Sequence, residues 1–361
     1  MRFNLYLLKS FRVLLFPFSL IYGLIVIIRN YFFDKNIVKS VSFNLPIIGI
    51  GNLSVGGTGK SPMVEYLINL LHLKYEVATL SRGYKRKTKG YALANADTTA
   101  LEIGDEPMQF HNKFPHIAVA VGEERMVAIP QLLHDRPETD IIILDDSFQH
   151  RWINPEFNIL LTEYSNLFTR DFFLPTGDLR DQRTSYKRAD IVVVTKCPPD
   201  ITDEEMDKIR KEINPLPNQL VFFTEIQYGE PYHIITKDKR AVFLEDEVLL
   251  VCGIANPQPL KDYLAKHVKT YYQLSFSDHH IFTIDELKEI SKKFDDIKWE
   301  RKIIITTEKD AVRLIKFNEA IQRLPVYVLP VQHRFLGSSG KQFDETVINR
   351  INSFKDNNKH E

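Results

Sequence analysis

Between positions 51 and 62 the chain reads GNLSVGGTGKSP, and this stretch holds its strongest chemical signal. Small residues let backbone N–H groups crowd around an anion, and a helix that follows adds the positive end of its dipole. A phosphate loop has the pattern G-x-x-x-x-G-K-[ST] between a strand and a helix. Gly59, Lys60 and Ser61 fit that pattern, while Ser54 stands where the first glycine is expected. Val55, Gly56, Gly57 and Thr58 complete the cradle. The chemistry implied is binding of a nucleoside triphosphate, with Lys60 reaching the β- and γ-phosphates and Ser61 a Mg²⁺ ion. Pro62 is tolerated, because the first helical turn has no partner for the missing N–H. Gly49 and Gly51 do not begin a dinucleotide fingerprint, since Ser54 replaces its third glycine.

Such a loop needs a further metal partner at the end of a buried strand. Ile141 to Leu144 are four apolar residues, and Asp145 and Asp146 follow them. Carboxylates emerging there sit at the edge where open α/β sheets bind ligands. A glycine-rich turn that binds nothing and an aspartate pair that only makes a turn are the plain alternatives. The two signals together select the nucleotide–metal reading, with either aspartate able to hold the metal through water.

The elements that must position these groups alternate as in a parallel sheet wrapped by helices. Strands are predicted at 47–51, 77–80, 117–121, 141–145, 159–162 and 191–195, with helices near 63–74 and 123–134. Their continuous apolar runs indicate burial on both faces. After residue 200 the pattern shifts. Pro215 and Pro217 close a charged helix, and strands at 221–226 and 241–244 suggest a two-stranded connector. A second α/β unit follows, with strands at 248–253, 271–274, 302–307 and 326–331 and helices near 258–267, 284–293 and 310–317. The expected fold is α/β: a P-loop kinase-like parallel sheet and a second, smaller α/β domain. The expected division is an N-terminal helix over 1–40, a nucleotide domain over 41–220, the connector over 221–246, and a C-terminal α/β lid over 247–361. The last seven residues read as a frayed tail.

The 361 residues carry 47 basic and 47 acidic side chains, so no overall charge draws the chain to nucleic acid. Two cysteines, Cys197 and Cys252, cannot form a disulfide framework and fit a reducing compartment. The first 40 residues are different: six basic residues against Asp34 alone, around the uncharged run VLLFPFSLIYGLIVII at 13–28. Sixteen residues fall short of the roughly 20 that cross a bilayer, and no small-residue cleavage site follows. The segment is read as a helix lying in or on an anionic cytoplasmic leaflet, against the alternative of a helix packed on the protein.

From DDSFQH at 145–150 onward, the motifs combine. With GNLSVGGTGKSP, SRGYKRK at 81–87, GDEP at 104–107, TKCP at 195–198, FSDHH at 276–280 and TEKDAVR ending at 313, the chain resembles the tetraacyldisaccharide 4′-kinases of lipid A biosynthesis. That resemblance covers most of the chain. It implies transfer of the ATP γ-phosphate to the 4′-hydroxyl of an acylated glucosamine disaccharide 1-phosphate at the cytoplasmic face of the inner membrane, giving lipid IV-A. By the same resemblance Asp105 is the base, and His279 orients and polarises it from the second domain. Glu106 and Arg125 position substrate, and Gln149 and His150 belong to the site without assigned roles. The cations Arg82, Lys85, Arg86, Lys87 and Lys89 suit an anionic headgroup, as does Arg180 in PTGDLRDQR, where the family's usual Arg-Glu-Pro is Arg-Asp-Gln.

The chemistry fits the residue types. A loose phosphoryl-transfer transition state demands little deprotonation of the nucleophile ahead of bond breaking, so a carboxylate suffices as base. Taken alone, Asp105-Glu106-Pro107 is also a plain helix start, and Asp278-His279-His280 a polar turn. Two rivals from other classes remain: a P-loop switch or metallochaperone-type NTPase, and a non-catalytic lipid-binding protein. The first would use Thr195-Lys196 to read guanine, but Cys197 and Pro198 replace the aspartate. The second leaves Lys60, Ser61 and Asp145 without purpose.

Overall fold

The computed structural model describes residues 12–358; Arg2 and Lys9 of the basic N-terminus and residues 359–361 lie outside the described residues. Two sheets organise the chain. The larger has nine strands in the order β14-β8-β7-β6-β1-β5-β2-β4-β3. Its central strands run parallel: β1 (Ile47–Asn52), β2 (Val77–Ser81), β4 (Ala118–Val121), β5 (Ile141–Leu144), β6 (Phe157–Glu163), β7 (Ile191–Thr195) and β8 (Leu220–Tyr228). β3 (Ala92–Leu93) and β14 (Val331–Phe335) close the two edges in antiparallel pairing.

The continuous apolar runs are buried on both faces because successive side chains alternate between two cores. Ile48, Ile50, Ile141 and Ile143 face one core, with Met63, Leu67 and Leu71 of α2 (Lys60–Leu71). Phe343, Val347 and Ile351 of the C-terminal helix Ser339–Asn358 pack into the same core. Ile47, Ile142 and Leu144 face the opposite side, where the helix Arg125–Asp135 packs Ala128, Ile129 and Leu132. β1 and β5 are neighbours in register, Gly49 beside Leu144. The phosphate loop leaves β1 and Asp145 leaves β5, so both emerge at the same sheet edge.

The smaller sheet has the order β11-β10-β12-β13-β9, with β10 (Glu247–Cys252), β11 (Thr270–Ser275), β12 (Lys302–Thr307) and β13 (Val326–Leu329) parallel and β9 (Tyr232–His233) antiparallel. The connector is two-stranded as the sequence suggests, but its second strand is not 241–244. Those residues make a turn in which Phe243 N–H donates to the buried Asp246 carboxylate (2.9 Å). β14 takes the place instead. The predicted strand 326–331 breaks at Pro330, which cannot donate to a ladder, and the chain crosses there from one sheet to the other. β8 pairs with β7 through Phe223 and with β14 from Thr224 onward, so residues 224–228 and 331–335 form the ribbon between the sheets. Residues 331–358, expected with the second unit, therefore rejoin the first. Lys355 to Asn358, expected as part of a frayed tail, are helical.

A buried ion cluster fastens the two halves. Lys113, at the end of α3 (Asp105–Lys113), reaches Glu65 of α2 and Glu308 of the helix Glu308–Leu314, each at 2.6 Å. Glu308 also accepts the N–H of Val331 at the start of β14 (3.2 Å). Burial, and then the charge of Glu308, push the Glu65 carboxyl up to about 7 despite Lys113. Replacing Lys113 with Met leaves two buried carboxylates facing each other. We expect a loss of about 3 kcal/mol. The Glu65 carboxyl, already raised and now without Lys113, would titrate still further above its unfolded value, so the loss grows as pH rises through that value. Thermal unfolding should show a larger Tm deficit at pH 8 than at pH 5.5; an equal deficit would exclude this charge account.

Candidate active site

At the large sheet's edge, the strand end of β1 supplies Asn52 and the loop that follows supplies Lys60. Lys60 Nζ lies 3.2 Å from Asn52 Oδ1 and 3.4 Å from Asp146. Arg180 closes this group. Its guanidinium takes both oxygens of Asp146, one at 3.0 Å, and also donates to Asn52. Val55 N–H is held by Asp178 O (2.8 Å) and Arg180 N–H by Leu53 O (2.8 Å), so the 178–180 segment lines the loop's entry. Gln149 Nε2 donates to Asn52 O (2.6 Å), which brings it into the same group.

The two aspartates part company here. Burial alone would raise Asp146, but hydrogen bonds from Arg180 and the charges of Lys60 and Arg180 outweigh it and hold its carboxyl well below the usual range. Asp145 is buried, its Oδ1 has no hydrogen-bond partner among the described residues, and burial with the charge of Asp146 pushes it up to about 6. An orphaned buried carboxylate oxygen, at the sheet edge where the phosphate loop also emerges, fits a hard divalent cation, which brings waters and phosphate oxygens of its own. Ser61 and Asp145 are thus the residues able to hold Mg²⁺.

A second group assembles from both halves of the chain. Asp105 is the first residue of α3 and is buried. Its Oδ2 meets His279 Nδ1 at 2.7 Å, and Arg313 lays its guanidinium fork along both carboxylate oxygens, with Nε to Oδ1 at 2.8 Å. Arg313 also donates to His280 O (2.8 Å), fixing the turn in which His279 adopts φ 63°. Next to them Glu106 pairs with Lys309 (2.9 Å). The charge of Glu106 reaches Asp145 and contributes to raising it, which places the two groups within electrostatic range.

Arg125, expected to position substrate, is 2% exposed and donates from Nη2 to Asp145 O (2.9 Å), while its Nε and Nη1 have no partner. Burial lowers its guanidinium to about 10. His150 is driven down to about 4, first by burial and then by the charges of Arg125, Arg82 and Arg29, so the ring is neutral. The basic loop lines an open cleft of about 830 Å³ together with Tyr84 and Glu123. Arg82 and Lys85 are exposed there; Lys85 lies over the Tyr84 ring, which sits 6.1 Å from the His279 ring. Arg86 differs from the expectation for this loop: its side chain turns inward to Glu123 (2.7 Å) and braces the loop. Arg180, expected at a headgroup, serves Asp146 instead. Asp181, whose role was open, is a buried junction taking Asn30 (2.7 Å), Ser185 (3.0 Å) and Arg188 (2.8 Å).

Asn30 belongs to α1 (Phe16–Asp34), which the sequence placed at a membrane. Ser19, Gly23, Val26, Asn30 and Phe33 make one narrow buried stripe. Gly23 permits the close approach, since a Cβ there would lie 2.6 Å from the Phe173 ring. Tyr22 donates to Arg180 O (3.1 Å) and Arg29 to Gln149 O (2.7 Å), so the helix is bolted to the segments that build the phosphate site. The remaining surface stays bare: Phe18, Leu20, Ile21, Leu24 and Ile25 are each more than half exposed.

A parallel sheet with a phosphate loop on its central strand, a carboxylate pair on the neighbouring one and a second α/β unit supplying part of the site defines a P-loop kinase-type protein. The chain belongs to the tetraacyldisaccharide-1-P 4′-kinase family, whose model matches residues 11–352. It is 46% identical over 341 residues to the tetraacyldisaccharide 4′-kinase of Flavobacterium johnsoniae, covering 94% of this chain and 97% of that one. To the enzyme of the same name from Bacteroides thetaiotaomicron it is 42% identical over 351 residues, 93% and 92% of the two chains. The crystal structure of LpxK from Aquifex aeolicus in complex with ATP superimposes with a TM-score of 0.74 at 28% identity, over 94% of this chain and 99% of that one.

Arg313 escapes the reading from residue types, and Arg180 is placed by it at a headgroup rather than on Asp146. Arg313 closes the TEKDAVR motif, but nothing in its sequence position tells that it meets an aspartate 208 residues earlier. Arg313→Lys keeps the charge and loses the fork. We expect kcat to fall by about tenfold or more with the KM for ATP nearly unchanged. A rise in that KM with kcat intact, in steady-state kinetics, would move Arg313 out of the acceptor group.

Proposed function

We propose that this chain transfers the γ-phosphate of ATP to the 4′-hydroxyl of a tetraacyldisaccharide 1-phosphate, forming the 1,4′-bisphosphate of lipid A biosynthesis, at the cytoplasmic face of the inner membrane. The observation that carries the reading is the clasp on Asp105: a buried carboxylate at the start of α3, held by a histidine and an arginine from the other unit. A hydrolytic switch has no need of such an acceptor-side base.

In this reading the loop from Ser54 to Ser61 holds the triphosphate, with Lys60 on the outer phosphates. Ser61 and Asp145, with Asp146 close by, would hold Mg²⁺, which when bound would neutralise charge on the phosphate oxygens. Asp105 takes the proton of the sugar hydroxyl. His279 donates from Nδ1 to Asp105 Oδ2, and Arg313 fixes both oxygens, so the carboxylate keeps one orientation through the transfer. Glu106 and Lys309, Arg125 and the neutral His150 surround the acceptor sugar, with Gln149 bracing the loop through Asn52. Arg82 and Lys85 face the anionic 1-phosphate and lipid headgroups. The smaller unit acts as a lid, and its closure excludes water that would compete with the hydroxyl.

α1 supplies the membrane contact. Nineteen residues span about 28 Å as a helix, enough to cross a bilayer core on length alone. A crossing helix, however, would carry its polar stripe and Arg29 away from Asp181 and Gln149. Bolted as it is, the helix lies along the interface with its bare face in lipid.

With γ-labelled ATP, Mg²⁺ and micellar tetraacyldisaccharide 1-phosphate, label should enter a bisphosphorylated lipid and be nearly lost in Asp105→Ala. Label appearing only in inorganic phosphate would replace this reading with the NTPase switch. His279→Ala should lower turnover more than ATP affinity; a selective loss of ATP binding would relocate His279 to the nucleotide. The double variant Leu20→Glu, Leu24→Glu should stop floating with anionic vesicles while still acting on micellar substrate. Undiminished flotation would exclude α1 as the anchor.

A further inference from the structure

The phosphate loop is held from behind at two successive carbonyls. Thr195, at the end of β7, donates its hydroxyl to Thr58 O at 2.9 Å. His333, on the connector strand β14, lies 2.9 Å from Gly59 O through Nε2 and 2.9 Å from Thr224 Oγ1 through Nδ1. A carbonyl only accepts, so Nε2 carries the proton and Nδ1 accepts from the threonine hydroxyl. The ring is 5% exposed, and burial drives it down to about 4, so this neutral tautomer persists at working pH.

A planar trans peptide points its C=O and its N–H in opposite directions. Drawing Thr58 O back onto Thr195 therefore turns the Gly59 N–H forward, and Gly59 O, held back by His333 and by the Met63 N–H of the first turn of α2 (3.2 Å), turns the Lys60 N–H forward. These are donors that a phosphate cradle needs. Gly59 holds φ 86°, and a Cβ there would sit 3.0 Å from His333 Cε1 and Nε2, so the ring and the glycine are shaped to each other.

β14 is not a neutral support. It runs directly out of β13 of the smaller sheet across Pro330, and its first residue donates to Glu308, the start of the helix that carries Arg313. The strand that aims the Lys60 amide is thus continuous with the unit that brings His279 and Arg313 to Asp105.

We propose that His333 is a positioning residue for the nucleotide: by donating from Nε2 to Gly59 O it sets the phosphate loop's amides toward the triphosphate and ties that setting to the connector strand. The proposal rests on the reading of residues 54–61 as the ATP site. Its test uses the full chain in detergent, ATP affinity by equilibrium dialysis with Mg²⁺, and kcat and KM with micellar acceptor. A glutamine side chain can place its amide nitrogen where the ring carries Nε2, whereas asparagine reaches only the Nδ1 position.

His333→Ala should weaken ATP about tenfold, the worth of one buried hydrogen bond. His333→Gln should return to within about twofold of the wild type, and His333→Asn should resemble the alanine variant. A role in stability alone would not sort glutamine from asparagine by donor position. Equal ATP affinities for these two, each shown by thermal unfolding to be folded, would overturn the proposal even if His333→Ala fails to fold. Lys60→Ala separates the premises. If it binds ATP like the wild type, the phosphate-loop reading itself falls. If it loses ATP while His333→Ala keeps it, only the positioning role falls.

Discussion

The carboxylate of Asp105 accepts from two side chains that arrive about 170 to 210 residues later, His279 and Arg313. Burying that carboxylate is costly unless charge and hydrogen bonds compensate it. The compensation exists only when the smaller sheet sits against the larger one, which makes this contact a condition on the whole molecule. It requires the helix beginning at Asp105 and the helix carrying Arg313 to be packed side by side. The Lys113 cluster supplies a second fastening on the same two helices and draws in α2, which begins with Lys60. Asp105, the helix that follows the phosphate loop and the second unit are therefore positioned by buried polar contacts on neighbouring helices.

The same economy of placement governs the nucleotide edge. Lys60, Asn52, Asp146 and Arg180 neutralise one another across a few ångströms, while Asp145 is left buried without a partner for Oδ1. Two adjacent aspartates acquire opposite tendencies because one is drawn into positive charge and the other into the sheet. That difference lies in their surroundings, which equal chemistry in the sequence could not show.

The N-terminal helix combines a bare apolar face with polar contacts to the segments around the phosphate loop. Its buried stripe is narrow and carries two polar members, Ser19 and Asn30, and each bonds a segment that also contacts the phosphate loop or its aspartates. Tyr22 holds the backbone of Arg180, the residue that clamps Asp146. Its outward face is apolar over most of its width, and nothing else among the described residues exposes so continuous an apolar surface on one element.

Local pattern determined much of this. The apolar runs at 47–51, 141–145 and 191–195 could only be strands buried on both faces, and GTGKSP after the first of them could only sit at a strand–helix turn. Those statements follow from side-chain periodicity and backbone freedom, which are local properties. The second strand of the connector was not legible. Residues 241–244 and 331–335 are both short and mixed in polarity, and the choice between them was made by Asp246 capturing one turn and by Pro330 releasing the other segment to pair with β8. Arg313 and His333 were likewise invisible as site residues, and Arg180 was legible as a cation but not as the partner of Asp146. Arginines and histidines are common and acquire direction only from a partner, and here each partner lies between 34 and 274 residues away. The sequence by itself determined which backbone segments could form a phosphate site and an α/β frame, because those depend on neighbours along the chain. Only the tertiary structure decided which charges face each other, because that depends on which sheet each strand joins.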